Sequence, residues 1–137
     1  MKTLNTEYAS KSIKILETSY QMLLSSQKGT VEYEIYRHST IKCFEVTLEL
    51  IGKLLRKTIK PYFPSPKAVD KLNYKDVFRH AFKHGLVDEA LLNRWFAYRD
   101  NRNDTAHDYG ESFAEETVIL LKDFVEDAKK IVSILES

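Results

Sequence analysis

The sequence predicts an all-α fold, an antiparallel up-and-down bundle of about five helices with short connections. Three observations carry that expectation. Apolar residues recur at helical spacing through each long segment, strand-like alternation never persists, and only four glycines and three prolines interrupt the chain. At 137 residues, 1–137 is expected to form a single domain with one core that needs no disulfide or metal staple.

Residues 5–26 place Ile13, Leu16, Tyr20, Leu23 and Leu24 at the spacing of one buried face, and Gly29 ends that first helix. Thr30 is positioned to cap a second helix, with Glu32 suited to the positive end of its dipole. In this helix, which runs to about residue 58, Ile41, Phe44, Leu48, Ile51 and Leu55 form one apolar row. Val46, Leu50 and Leu54 widen it, which marks the helix as the spine of the bundle and leaves part of its surface as a possible subunit interface. The run Lys60-Pro61-Tyr62-Phe63-Pro64-Ser65-Pro66 must turn the chain, because proline removes donors and pushes its predecessor out of the α region.

Asn73 then caps a short helix from Tyr74 to His84, ended by Gly85. Asp88 caps a fourth helix that turns Leu91, Leu92, Trp95, Phe96 and Tyr98 inward. Gly110 closes it, and Ser112-Phe113-Ala114-Glu115 has the form of a capping box for the last helix. Thr117, Leu120, Leu121, Phe124, Ala128, Ile131 and Leu135 form the buried stripe of that helix.

Composition removes several function classes. With 21 basic and 20 acidic residues the net charge is +1, so any contact with RNA or a nucleotide must be local. No apolar run approaches the ~20 residues of a membrane span, and the N-terminus lacks a signal-peptide core, so a soluble cytoplasmic protein is expected, without membrane contact. Cys43 is the sole cysteine, which excludes an internal disulfide and a thiolate metal site; it reads as a small packing residue. His80 and His84 are an i,i+4 pair with no obvious third ligand, and Asp100, Asp104 and Asp108 read as a solvated face. Neither a metal nor a cofactor is expected.

Chemistry concentrates in Arg102-Asn103-Asp104-Thr105-Ala106-His107-Asp108-Tyr109. A guanidinium offers a planar fork to phosphate, and an imidazole titrating near ~6.5 can move protons at neutral pH. A metal-independent ribonuclease needs a base for the 2′-hydroxyl, an acid for the leaving oxygen and a cation on the phosphorane. His107 suits the proton transfers and Arg102 the charge. On a continuous helix, however, the two stand about 140° apart, whereas Asn103 aligns with His107 and Arg99 lies one turn further back. Either the helix distorts before Gly110, or a second copy completes the site across a two-fold axis; the composite dimer site is the expectation, because one arginine and one histidine on adjoining faces are sparse for a catalyst. The competing reading is structural: Arg and His near a helix C-terminus complement its dipole and bond its free carbonyls.

These residues resemble a known family. Arg102-x4-His107-x-Tyr109 is similar to the R-x4-H-x-Y motif of HEPN domains, specifically those paired with minimal nucleotidyltransferases. Residues 44–53 resemble the F-E-x-x-x-E-L-x-x-K helix of the nucleotidyltransferase substrate-binding branch, residues 81–86 resemble its A-F-K-x-G-L segment, and Trp95 precedes Arg102 by seven residues as in that branch. The sequence departs from the pattern in a longer link from Lys67 to Arg79, in Gly52 where an aromatic is common, and in Tyr98 for a frequent methionine.

The resemblance implies a homodimeric bundle in complex with a minimal nucleotidyltransferase. It leaves two functions open. One is the toxin half of a toxin-antitoxin pair, an RNA-cleaving protein silenced by adenylate transfer to Tyr109. The other is a binding-only subunit that presents a nucleotide or other substrate to its partner. Glu45 and Glu49, one helical turn apart, either orient arginines near the motif or serve folding.

Overall fold

The computed structural model describes residues 4–105 and 111–137, with the side chains of 103–105 and 111–114 outside the description. Its elements are α1 (Glu7–Ser25), α2 (Val31–Ile59), a 3₁₀ turn (Lys60–Tyr62), α3 (Pro66–Asp70), α4 (Tyr74–Lys83), α5 (Glu89–Thr105) and α6 (Glu111–Glu136). Among the described residues there is no strand, and no helix is long and apolar enough to cross a membrane.

Short polar side chains set most helix starts. The Tyr33 amide donates to Thr30 Oγ1 at 3.2 Å, the Asp76 amide to Asn73 Oδ1 at 2.8 Å and the Leu91 amide to Asp88 Oδ1 at 2.8 Å. Gly85, just past α4, adopts φ of +78°, the left-handed conformation that ends a helix without a Cβ penalty; α1 ends at Ser25, ahead of the expected Gly29, whose φ of +89° serves the turn in which the Thr30 amide donates to the Gln27 carbonyl at 3.3 Å. The prolines end α2, yet they also begin α3. Pro66 sits at the first position of α3, where its missing donor is no loss, and Ser65 Oγ caps the Ala68 amide at 3.3 Å. Arg56 of α2 donates to the carbonyls of Val69 (2.6 Å) and Leu72 (2.9 Å), so the end of α3 is tied to the spine. α6 begins at Glu111, one residue ahead of the Ser112 expected as its cap.

Cross-helix bonds give the topology. Ser12 meets Thr47 at 2.6 Å and Ser19 meets Thr40 at 2.7 Å, so α1 and α2 run antiparallel. Arg99 pairs with Glu49 and Arg102 with Glu45, which makes α5 antiparallel to α2. Arg94 with Asp127 and Thr117 with Asn101 set α6 antiparallel to α5, and Thr6 with Glu136 and Glu17 with Lys129 set it antiparallel to α1. Four long helices therefore alternate up and down, with α3 and α4 carried on the connection from α2 to α5.

The apolar rows of the sequence meet at an aromatic centre. Phe44, Phe78, Trp95 and Phe124 are fully buried, with Phe44 edge-on to Phe124 at 4.8 Å and Trp95 against Phe124 at 5.1 Å. Leu24 and Val46 depart from the expected faces. Leu24, next to buried Leu23, rotates out to solvent, and Val46 is exposed beside the α1–α2 contact while Leu54 of the same widened face is buried.

Gly52 has a specific reason to lack a side chain. A Cβ there would stand on Tyr74 Cε2 and within 3.1 Å of Cδ2 and Cζ. The ring of α4 thus occupies the space beside α2, which accounts for glycine at a position where the resemblance leads one to expect an aromatic. Gly52→Ala should lower stability by up to about 2 kcal/mol, because the cost of overpacking, about 1–3 kcal/mol, exceeds the gain of about 1 kcal/mol in helix propensity over most of its range. In a Tyr74→Ala background the same change should raise stability; chemical denaturation of the four variants checks the change of sign.

Candidate functional site

The candidate site lies where the C-terminal half of α5 crosses α2 and α4. α2 presents Glu45 and Glu49 one turn apart, and α5 presents Arg99 and Arg102 three residues apart. Because the helices are antiparallel, the two sets fall into register. The Arg99 guanidinium binds the Glu49 carboxylate, and Arg102 Nε stands 3.7 Å from Glu45 Oε2. All four side chains are partly screened from solvent.

Beneath Arg99 lies Tyr74. Its ring is 4.2 Å from the guanidinium carbon, its hydroxyl donates to the Leu48 carbonyl at 2.7 Å, and the Trp95 indole donates to that hydroxyl at 2.9 Å. Burial raises the Tyr74 pKa well beyond the ordinary phenol range, against the lowering effects of the Trp95 bond and Arg99, so the phenol stays neutral. Arg99 is thereby fixed from two sides, by a carboxylate and by an aromatic face.

The opposite face of α5 is held by α6. Arg94 makes a two-bond contact with Asp127, at 2.8 Å and 2.9 Å, and the Tyr98 hydroxyl donates to the same carboxylate at 2.6 Å. Burial opposes the Asp127 charge, but the Arg94 and Tyr98 bonds outweigh it and hold the carboxyl below its usual range. Burial, then the bond to Asp127, pushes the Tyr98 phenol up. One turn on, Thr117 Oγ1 donates to buried Asn101 Oδ1 at 2.9 Å and ties the end of α5 to the start of α6.

Of the residues singled out from sequence, Arg99, Arg102, Glu45 and Glu49 come together. His107 and Tyr109 lie outside the described residues, as does the side chain of Asn103. The described part of α5 reaches Thr105.

The His80 and His84 rings pack against other rings. Tyr62 stacks on His84 at 3.8 Å between centroids, and Phe63 meets His80 at 4.8 Å. Among the described residues no group of three side chains is placed to hold a metal ion. Asp100 pairs with Lys75 at 2.6 Å.

Sequence reading passed over Asp127 and Tyr74. The available signal for Asp127 was a carboxylate one turn from Phe124 and Ile131 on an otherwise apolar stripe, a place where a charge needs a partner. Tyr74 gave no comparable signal, since its role depends on how α4 crosses α5.

The fold has solved counterparts. A structure from Haemophilus influenzae, reported as the fold of a substrate-binding domain of a nucleotidyltransferase, superposes with a TM-score of 0.81 over 97% of this chain and 100% of that one, at 21% identity. A crystal structure of a protein from Thermus thermophilus superposes with a TM-score of 0.71 over 92% and 99% of the two chains, also at 21% identity. These likenesses establish the fold class. The Haemophilus influenzae protein named Probable ribonuclease HepT is 29% identical over 85 residues, 62% of this chain and 57% of that protein. Thus the match spans little more than half of that relative's length. Residues 4–137 match the family described as nucleotidyltransferase substrate binding protein like, and the chain belongs to that family.

The Asp127 cluster gives a pH dependence. A carboxyl whose folded pKa lies below its unfolded value of about 3.9 adds stability above that value and loses it as pH falls through the folded pKa. Asp127→Asn should cost about 2 kcal/mol at neutral pH, the scale of hydrogen bonds to a charged group. The gap from wild type should narrow as pH falls below about 4, read from thermal melts across pH.

Proposed function

We propose that this chain is the partner subunit of a small nucleotidyltransferase and the toxin half of a cytoplasmic toxin-antitoxin pair. Its site is the segment Arg102-x4-His107-x-Tyr109. In this reading the protein is a homodimer and a metal-independent ribonuclease. His107 moves the proton of the attacking 2′-hydroxyl or of the leaving oxygen, and Arg102 stabilises the charge on phosphorus. The observation that carries the reading is the pair of α2 carboxylates holding Arg99 and Arg102 at the end of α5, directly before His107 and Tyr109 in the chain. It is further supported by the family match and by the names of the relatives, one a ribonuclease and one a nucleotidyltransferase substrate-binding domain.

Control by the partner follows from the same chemistry. The Tyr109 phenol oxygen attacks the α-phosphorus of ATP, a P–O bond forms, pyrophosphate leaves and the phenolic proton passes to solvent or a base. The product carries a phosphodiester and a nucleoside two residues from His107, which blocks a phosphate site both sterically and by charge.

A binding-only subunit that presents a nucleotide or other substrate is the second reading, and it is supported by the likeness to the structure reported as the fold of a substrate-binding domain of a nucleotidyltransferase. Cleavage of RNA in the presence of a chelator separates the two. The ribonuclease reading expects His107→Ala and Arg102→Ala each to lower the rate by about 10²-fold or more. Equal residual cleavage in wild type and both variants would leave the binding-only subunit. With ATP, Mg²⁺ and the nucleotidyltransferase, wild type should gain adenylate mass and Tyr109→Phe should not; an unchanged wild-type mass removes the proposed control.

A further inference from the structure

An open polar cavity of about 390 Å³ adjoins the candidate site, lined by Asn73, Tyr74, Lys75, Arg79 and Arg99. Three of these five residues are cationic, and they come from two helices. Lys75 and Arg79 stand one turn apart on α4, and both lie over the ring of Phe96 on α5, at 5.2 Å and 5.1 Å from its centroid. Arg99, three residues beyond Phe96, closes the opposite side on the Tyr74 ring. Arg102 follows it by three more residues, so the cavity and the motif arginine lie along the same stretch of α5.

We propose that this cavity is a phosphate subsite that binds a second phosphate group of the ligand engaged at Arg102. The inference rests on the functional reading above. Two features of the cations support it. Their positions are set by aromatic surfaces as well as by carboxylates: Arg99 stacks on a tyrosine that is itself hydrogen-bonded twice, and Lys75 and Arg79 share the Phe96 ring. An anion therefore meets donors that are already placed, which lowers the ordering cost of binding.

The carboxylates nearby set the competition. Lys75 pairs with Asp100 at 2.6 Å, Arg79 with Asp76 at 2.7 Å and Arg99 with Glu49. Asp100 is exposed and Asp76 is partly exposed opposite an exposed Arg79, and ion pairs at such positions are weak because water and salt screen them. A phosphodiester carries one charge, as each carboxylate does, and a nucleotide's phosphate chain carries more; either can accept from several donors at once, which a single exposed carboxylate pair does not match. The anion can be the backbone of an RNA strand or the phosphate chain of a nucleotide; the chemistry recognised is the same.

The double variant Lys75→Gln/Arg79→Gln tests the subsite in the full chain, with Lys75→Arg as the charge-preserving control. The probes are a short fluorescent single-stranded RNA and, separately, ATP, with affinity measured across a salt series. Circular dichroism confirms that each variant is folded. The subsite requires the double variant to lose about tenfold in affinity for at least one probe, with Lys75→Arg near wild type. For RNA, the slope of log affinity against log salt should also become shallower by about 0.7. Loss on RNA alone identifies a strand backbone, and loss on ATP alone identifies a nucleotide. Unchanged affinity for both probes overturns the subsite. Cleavage by His107→Ala, read in parallel, keeps the two readings separable: its loss of about 10²-fold or more reports on the ribonuclease and not on the subsite. A double variant that binds like wild type refutes the subsite alone, whereas wild-type protein that neither binds nor cleaves RNA refutes the ribonuclease reading.

Discussion

The Tyr74 hydroxyl joins three helices at one point. It donates to the Leu48 carbonyl of α2 and accepts from the Trp95 indole of α5, while its own backbone belongs to α4. Gly52 is the condition for this contact, since a Cβ there would meet the ring. With the phenol neutral and pinned, its upper face becomes a platform for Arg99, and the charged half of α5 is held at a fixed height against the glutamates of α2. The site therefore depends on a packing contact as much as on charge.

α5 has different partners on its two faces. Towards α6, one buried carboxylate collects Arg94 and Tyr98, and Asn101 receives Thr117. Towards α2 and α4, the arginines meet glutamates, Tyr74 and the cavity beside Lys75 and Arg79. The segment that carries His107 and Tyr109 continues from a helix fixed on both faces. In the proposed function such support serves the segment, because small misplacements of a catalytic group cost rate.

Much of the fold was legible in the sequence because it rests on local rules. The Thr30, Asn73 and Asp88 caps, the Gly85 end and the spine of α2 all follow from residue type and spacing. α3 was not legible, because the same prolines that end one helix can start another when a serine precedes them. Glu45 and Glu49 were marked by their one-turn spacing within the segment that resembles the F-E-x-x-x-E-L-x-x-K helix. Lys75 and Arg79 were not, since their significance comes from how α4 crosses α5, which no local pattern encodes; Asp127 stood out only as a carboxylate on an apolar stripe, with its partners unnamed by any local pattern. Tyr98 illustrates the difference: in sequence it was a departure from a methionine, and in the fold its hydroxyl completes the Asp127 cluster.

The most direct measurement of whether the α2 carboxylates serve the chemistry is a double-mutant cycle on RNA cleavage with Glu45→Gln and Arg102→Lys, with stability followed in parallel. If Glu45 positions Arg102 for phosphate, each single variant lowers kcat, the double variant loses much less than the product of the two, and melting temperatures change little. Independent, multiplicative losses, or a Glu45→Gln variant that cleaves like wild type, would contradict that coupling.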